Sequence, residues 1–299
     1  MNRYEFEVMC FFAENPGKSF RVRDLGDELK ISGNMVTDTI EALEDKGWIQ
    51  KCGDNVCFAL TEEGFSALSP YKVNKAVVLA AGFGSRMMPA TKDCPKPMVK
   101  VGEKRIIETL LDALEAAEVK DITVVGGYKW ESLKELLKKY SFLNIVENDR
   151  YETENNISSI MRVLDSLSGR LYICEADLYV SNPRIIKKYM YSDNILSSFA
   201  LETDDWCFDM ENGCIKNYRK GGKYCYNYYG ISCWTPETVE ALKSDYIRDY
   251  QREGGKDLFW EFVPLIEEAD RYHVEIRLCQ KQDIMEIDNY YELQQLNEK

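Results

Sequence analysis

Residues 75–104 read KAVVLAAGFGSRMMPATKDCPKPMVKVGEK. A short apolar run, Ala76–Ala81, ends in Gly82 and Gly84. Glycines let backbone N–H groups approach an anion closely, because no Cβ stands in the way. Arg86 adds a planar fork of donors suited to phosphate oxygens. Lys96 adds a compact charge between Pro95 and Pro97, whose rings stiffen its backbone. A lone G-x-G is often an ordinary turn. Two cations following it at close spacing point instead to a nucleotide phosphate site. Spacing excludes the two commonest versions. No G-x-x-x-x-G-K-[ST] string occurs, so this is not a Walker loop. A dinucleotide fingerprint would need a third small residue where Met87 stands.

Two acidic positions fit a partner role. Asp177 lies just past the apolar strand Leu171–Cys174, where ligands of open α/β sheets gather. Asp288 follows the alternating run Ile284-Met285-Glu286-Ile287. Magnesium often takes only one or two carboxylates and completes its shell with substrate phosphates. Asn155 and Asn156 can hydrogen-bond a ligand or cap the helix expected from about Ile157; both roles stay open.

The string L-A-A-G-x-G-S-R-M-x-P-x-T…P-K-P-M resembles the signature of the nucleoside-diphosphate-sugar pyrophosphorylase-like nucleotidyltransferases. Three more segments, VENDRYETENNISSI (146–160), LYICEADL (171–178) and DIMEIDN (283–289), resemble bacterial CTP:phosphocholine cytidylyltransferases. The resemblance covers residues 74–297. It implies that Leu79, Ala80, Ala81, Gly82, Phe83, Gly84 and Ser85 line the nucleotide, with Asn156 beside them. It implies that Arg86 and Lys96 neutralise phosphate charge during catalysis. Mg2+ is the implied cofactor, held by Asp177 and Asp288, with Glu286 as a third candidate ligand. The implied reaction joins CTP to phosphocholine and releases pyrophosphate; 2-aminoethylphosphonate or another small phosphate or sugar phosphate is the alternative acceptor.

A quaternary ammonium is held by aromatic faces, sometimes with a carboxylate. Trp206 matches a choline-contacting tryptophan of the family; Tyr229, Trp260 and Glu202 are weaker matches. Core packing is the alternative for these rings, since 12% of the chain is aromatic; Trp206 is favoured as functional, and Trp234 is read as core. A primary ammonium would favour carboxylates and carbonyls over rings. Arg219, Lys220 and Lys223 are three candidates for the acceptor phosphate.

From residue 74 the apolar pattern alternates between strand and helix. Strands are expected at Ala76–Ala81, Asp121–Val125, Asn144–Val146 and Leu171–Cys174. Helices are expected at Ile106–Ala117, Trp130–Tyr140 and Ser158–Leu167. This predicts an α/β class domain, 74–299, with a mostly parallel Rossmann-like sheet covered by helices on both faces. Residues 1–70 read as a separate unit resembling a winged helix-turn-helix, with its wing turning at Gly53-Asp54-Asn55 and a linker at Ser69-Pro70. Such units commonly bind DNA. This one carries 7 Lys+Arg against 13 Asp+Glu, a net of −6, which repels a phosphate backbone. A protein-contact or homodimer role is favoured over DNA binding. The rival reading of the whole chain is a nucleotide-sensing transcription regulator.

The 299 residues carry a formal net charge of −13, which disfavours anionic membranes and nucleic acid as partners. No apolar run approaches the roughly 18 residues of a membrane span. Ten cysteines without a C-x-x-C pair suggest reduced thiols and a cytoplasmic setting.

Overall fold

Helical periodicity dominates the beginning of the chain. In the computed structural model, which describes residues 1–18, 20–52, 57–287 and 289–297, α1 (Arg3–Glu14) starts at a reciprocal capping box between Asn2 and Glu5. Then come α2 (Val22–Leu29) and α3 (Gly33–Asp45), the latter capped by Ser32. An antiparallel pair follows, β1 (Ile49–Lys51) with β2 (Phe58–Leu60). The turn expected at residues 53–55 lies outside the described residues. A fourth helix, α4 (Glu62–Leu68), was not expected; Thr61 caps it by accepting from the Gly64 N–H. Ser69–Tyr71 adds a turn of 3-10 helix directly after it. These elements close over a core that includes Met9, Phe12, Leu25, Val36 and Leu43. They form one compact unit, Met1–Lys72 with Tyr189–Tyr191; the other is Val73–Lys188 with Ser192–Lys299.

The larger unit is built on β3 (Lys75–Ala80). Its run of alanine, valine and leucine is buried on both faces, as a strand inside a parallel sheet must be. After it come the two-residue strands β4 (Lys100–Val101) and β5 (Lys104–Arg105), helix α5 (Ile106–Ala116), β6 (Asp121–Gly126) and β7 (Leu143–Glu147). The expected helix at 130–140 is instead a 3-10 run, Trp130–Lys138. Helix α6 (Ile157–Val163) leads to β8 (Leu171–Glu175) and the short β9 (Leu178–Val180). β3 pairs in parallel with β6 and β8, and β6 with β7.

The rest of the sheet departs from the expected pattern. β10 (Asn194–Glu211) and β11 (Cys214–Trp234) form a long antiparallel hairpin. Register shifts between Thr203 and Trp206 and again near Asp209 break its alternation, so the sequence shows no clean period of two there. β11 joins β8 antiparallel, and β12 (Glu275–Leu278) pairs in parallel with β10. The seven-stranded order is β10-β12-β11-β8-β3-β6-β7. Helix α7 (Pro236–Gln251) precedes β12, while β13 (Ile284–Glu286) pairs with β9 and α8 (Tyr290–Asn297) follows. The nucleotidyltransferase-type α/β fold expected from the sequence is therefore present, with a parallel centre and an antiparallel flank. Among the described residues, no helix is long and apolar enough to cross a membrane.

Candidate active site

Open α/β sheets bind ligands where the strand order reverses. Here the chain lays β6 and β7 on one side of β3, then returns to place β8 on the other. A cleft of about 510 Å³ lies at that reversal, and its lining includes the last residues of both strands, Ala80 and Glu175. Leu79 to Ser85, Arg86, Lys96, Asn156, Asp177, Trp206 and Glu286 also line it. Residues more than 200 positions apart thus meet in one place.

The two loop glycines have different reasons to be glycine. Gly84 has φ +61°, and a Cβ there would stand 2.7 Å from the Cβ of Lys96. Gly84 is required by the backbone and by the close packing of Lys96 beneath it. Gly82 has no such constraint, since a Cβ there would meet nothing within 4 Å. Gly82 lines the cleft, and the open space beside it lets a ligand approach the main chain.

Asp177 sits just beyond β8. Its Oδ2 accepts from the Lys96 ammonium at 2.8 Å, while its Oδ1 is buried without a hydrogen-bond partner. The β9–β13 register sets Glu286 opposite Leu178, which brings a distant acid next to Asp177. Asp288 lies outside the described residues. Among the described residues no three acids, thiols or imidazoles form a ready-made metal cage. An orphaned carboxylate oxygen with a second acid nearby still fits magnesium, which leaves most of its shell to phosphate and water.

The other end of the cleft is aromatic and acidic. Trp206 stacks on Tyr218 with centroids 5.0 Å apart, and Phe262 meets the indole edge-on at 5.3 Å. Tyr228 and Phe259 complete the wall, together with Asp205 and Lys220. Two carboxylates line this space, Glu175 half-buried and Glu261 buried. Glu175 accepts from the Trp260 indole N–H at 3.3 Å. Gly230, at φ +55°, is held so close to it that a Cβ would lie 2.7 Å from Oε2. Glu261 is 3% exposed; one of its oxygens accepts from the Tyr218 hydroxyl at 3.4 Å and the other has no partner. Burial pushes Glu261 up to about 7. Burial, then the negative charges of Glu261, Asp177 and Glu286, holds Glu175 well above the usual carboxylate range.

Several expected residues stand elsewhere. Tyr229 points to the opposite side of β11 from Tyr228, as strand alternation requires, and its hydroxyl bonds Ser198 at 2.8 Å. Trp260 is fully buried and acts behind Glu175 instead of facing the cleft. Glu202 does not line the cleft; it is exposed and paired with Lys223 at 3.2 Å. Arg219 is engaged bidentately with Asp209, both contacts at 2.9 Å, which leaves Lys220 as the cleft-lining member of the three candidate cations. Asn156 does not cap α6 through its side chain; its side-chain Oδ1 accepts instead from the Trp260 backbone N–H at 2.8 Å. Glu175 and Glu261 were missed. Glu175 was findable as the terminal residue of an apolar strand, two positions before Asp177.

A family profile described as the MobA-like NTP transferase domain matches residues 76–192. A 2-aminoethylphosphonate cytidylyltransferase from Lancefieldella rimae is 37% identical over 223 residues, spanning 73% of this chain and 89% of that protein. The chain belongs to the cytidylyltransferases of the NTP-transferase superfamily. A choline-phosphate cytidylyltransferase from Streptococcus pneumoniae is 29% identical over 236 residues, covering 75% of this cytidylyltransferase and 97% of the relative. The solved CTP:phosphocholine cytidylyltransferase structure from Streptococcus pneumoniae superposes with a TM-score of 0.70 at 27% identity, over 76% of this chain and 98% of that one. The family activity agrees with the enzyme reading.

Proposed function

We propose that this cytidylyltransferase transfers CMP from CTP to a small phosphonate or phosphate ending in a primary ammonium, with 2-aminoethylphosphonate as the leading acceptor. One observation carries this reading. The acceptor end of the cleft holds the carboxyl groups of Glu175, Glu261 and Asp205 beside its rings. A primary ammonium has hydrogens to donate to such groups, whereas a quaternary one does not. An incoming ammonium would stabilise the ionised forms of Glu175 and Glu261, which burial otherwise disfavours. The 37% identical relative, named for 2-aminoethylphosphonate, supports the same choice. Phosphocholine is the second reading, favoured by the Trp206–Tyr218 stack and by the Streptococcus pneumoniae choline-phosphate relative and solved structure.

In the reaction, an acceptor phosphonate oxygen attacks the α-phosphorus of CTP. The bond to the bridging oxygen of the β-phosphate breaks and pyrophosphate leaves in line. The attacking oxygen is already ionised near neutral pH, so no general base is needed, and positioning with charge neutralisation does the work. The glycine loop would cradle the triphosphate, Arg86 and Lys96 would take up its charge, and Lys220 would hold the acceptor's anionic end. Asp177 and Glu286, with Asp288, would hold Mg2+, which when bound supplies a positive charge shared among phosphate oxygens. For the first unit we favour a winged-helix module that contacts protein: the exposed side of α3 presents Asp38, Glu41 and Asp45.

The test is pyrophosphate release with CTP and Mg2+ over a panel of acceptors. Turnover should be fastest with 2-aminoethylphosphonate. Faster turnover with phosphocholine would favour the second reading, and none with any aminoalkyl phosphate or phosphonate would defeat both.

A further inference from the structure

We infer that Asn155 is a positioning residue for the transfer step, holding the acceptor wall of the cleft in register with the nucleotide wall. This rests on the assignment of the Glu261 end to the acceptor. Asn156, assigned to the nucleotide, and Ser159 line the cleft from the start of α6, while Phe259 and Glu261 line it at the acceptor end. Asn155 joins the two. Its backbone N–H donates to the Lys256 carbonyl at 2.8 Å. Its side-chain Nδ2 donates to the Asp257 carbonyl at 3.0 Å, across 102 positions of sequence. The neighbours on each side reach the same segment. Glu154 accepts from the Tyr250 hydroxyl at 2.6 Å and pairs with the Lys256 ammonium at 3.1 Å, and Asn156 Oδ1 accepts from the Trp260 N–H. Residues 154–156 thus fasten, one after another, the segment that ends in the acceptor wall.

Asparagine suits this place because one side chain must both accept and donate. Oδ1 accepts from the Asn156 N–H at 2.7 Å, which orients the amide so that Nδ2 meets the Asp257 carbonyl. Aspartate would keep the first contact and set a carboxylate oxygen against a carbonyl oxygen. The other side of the fastened turn is fixed as well. Gly255–Asp257 is a turn of 3-10 helix, and Gly255 packs so closely on the end of α7 that a Cβ there would lie 1.9 Å from the Asp249 carbonyl oxygen. The turn has no slack toward α7, and Asn155 sets it from the opposite side. Asn155 does not line the cleft, so it acts through the segment it holds. In-line transfer needs the acceptor oxygen and the α-phosphorus in near-attack contact, and a misplacement of about 1 Å costs on the order of a hundredfold in rate.

The test compares the full unaltered chain with Asn155→Asp in steady-state pyrophosphate release from CTP, Mg2+ and 2-aminoethylphosphonate, with CTP affinity measured separately by calorimetry. Asn155→Asp should raise the acceptor KM about tenfold and lower kcat about tenfold, while CTP affinity stays within about twofold. Asp257→Asn alters only the side chain of a residue whose main-chain carbonyl makes the contact, and should change none of these. Asn155→Ser, too short to reach that carbonyl, should give the same split; it serves if circular dichroism shows the aspartate variant unfolded. Acceptor KM and kcat both within about twofold of the unaltered chain, or CTP affinity falling as far as the acceptor KM rises, would overturn the inference. The acceptor assignment beneath it fails in a different place: no turnover by the unaltered chain with any aminoalkyl phosphate or phosphonate would defeat that assignment before any variant is compared, and the inference with it.

Discussion

At the scale of single residues, the glycine loop and the cleft glutamates make separable predictions. Gly82→Ala should raise the CTP KM about tenfold, because the new methyl enters space reserved for ligand, while thermal stability stays nearly unchanged. Gly84→Ala should instead lower stability by about 1–3 kcal/mol, since it forces a side chain into positive φ against Lys96. Calorimetric melts and initial-rate kinetics on the pair distinguish the two roles. Glu261 has its carboxyl raised from an ordinary 4.5 to about 7. Below 4.5 both folded and unfolded chains keep the proton. Between 4.5 and 7 the unfolded chain releases it and the folded chain does not, so this group removes stability as pH rises through that window. Ammonium binding needs the ionised form. The acceptor KM should therefore fall about tenfold from pH 6 to pH 8, and Glu261→Gln should flatten that profile; an unchanged profile in the variant would remove Glu261 from acceptor binding. Residues such as Gly82, Arg86 and Asp177 were legible in the sequence because backbone access, charge and strand-end position leave local marks. Glu261 was not, because it stands inside the apolar run Leu258-Phe-Trp-Glu-Phe262 and only the fold shows what it faces.

At the scale of elements, the β10–β11 hairpin decides which side chains reach the acceptor. Its register pairs Trp206 with Lys220, so a ring and a cation enter the cleft from facing strands. Lys220→Met should raise the acceptor KM about tenfold while leaving the CTP KM within about twofold, as expected for the loss of one charge-assisted contact. Lys223→Met, which breaks only an exposed pair with Glu202, should change neither, and steady-state kinetics on both variants checks this. The parallel centre of the sheet was readable from the strand runs expected at residues 76–81, 121–125 and 171–174. The hairpin was not, because its bulges interrupt alternation and its charged, tyrosine-rich strands lack an apolar signature. That single blind spot misassigned Tyr229 for Tyr228 and left the three cations undecided.

At the scale of the whole molecule, charge and family set the expectations. The first 70 residues carry a net −6 and the chain −13. Mobility-shift titration at about 150 mM salt should show no specific DNA complex, because an acidic α3 repels phosphate within a Debye length; sequence-specific retardation at that salt would return the first unit to a DNA-binding role. Two-unit organisation was legible from the pattern change near residue 70, whereas α4 was hidden because its seven residues are too short for a clear helical period. The central claim is that one cleft binds CTP through the glycine loop and an ammonium-bearing phosphonate or phosphate through Glu175 and Glu261. Its most direct measurement is pyrophosphate release from CTP with Mg2+ and 2-aminoethylphosphonate, compared between the unaltered chain and Glu261→Gln. Acceptor-dependent release with a raised acceptor KM in the variant is the predicted result; no release from the unaltered chain with any aminoalkyl phosphonate or phosphate would contradict the account.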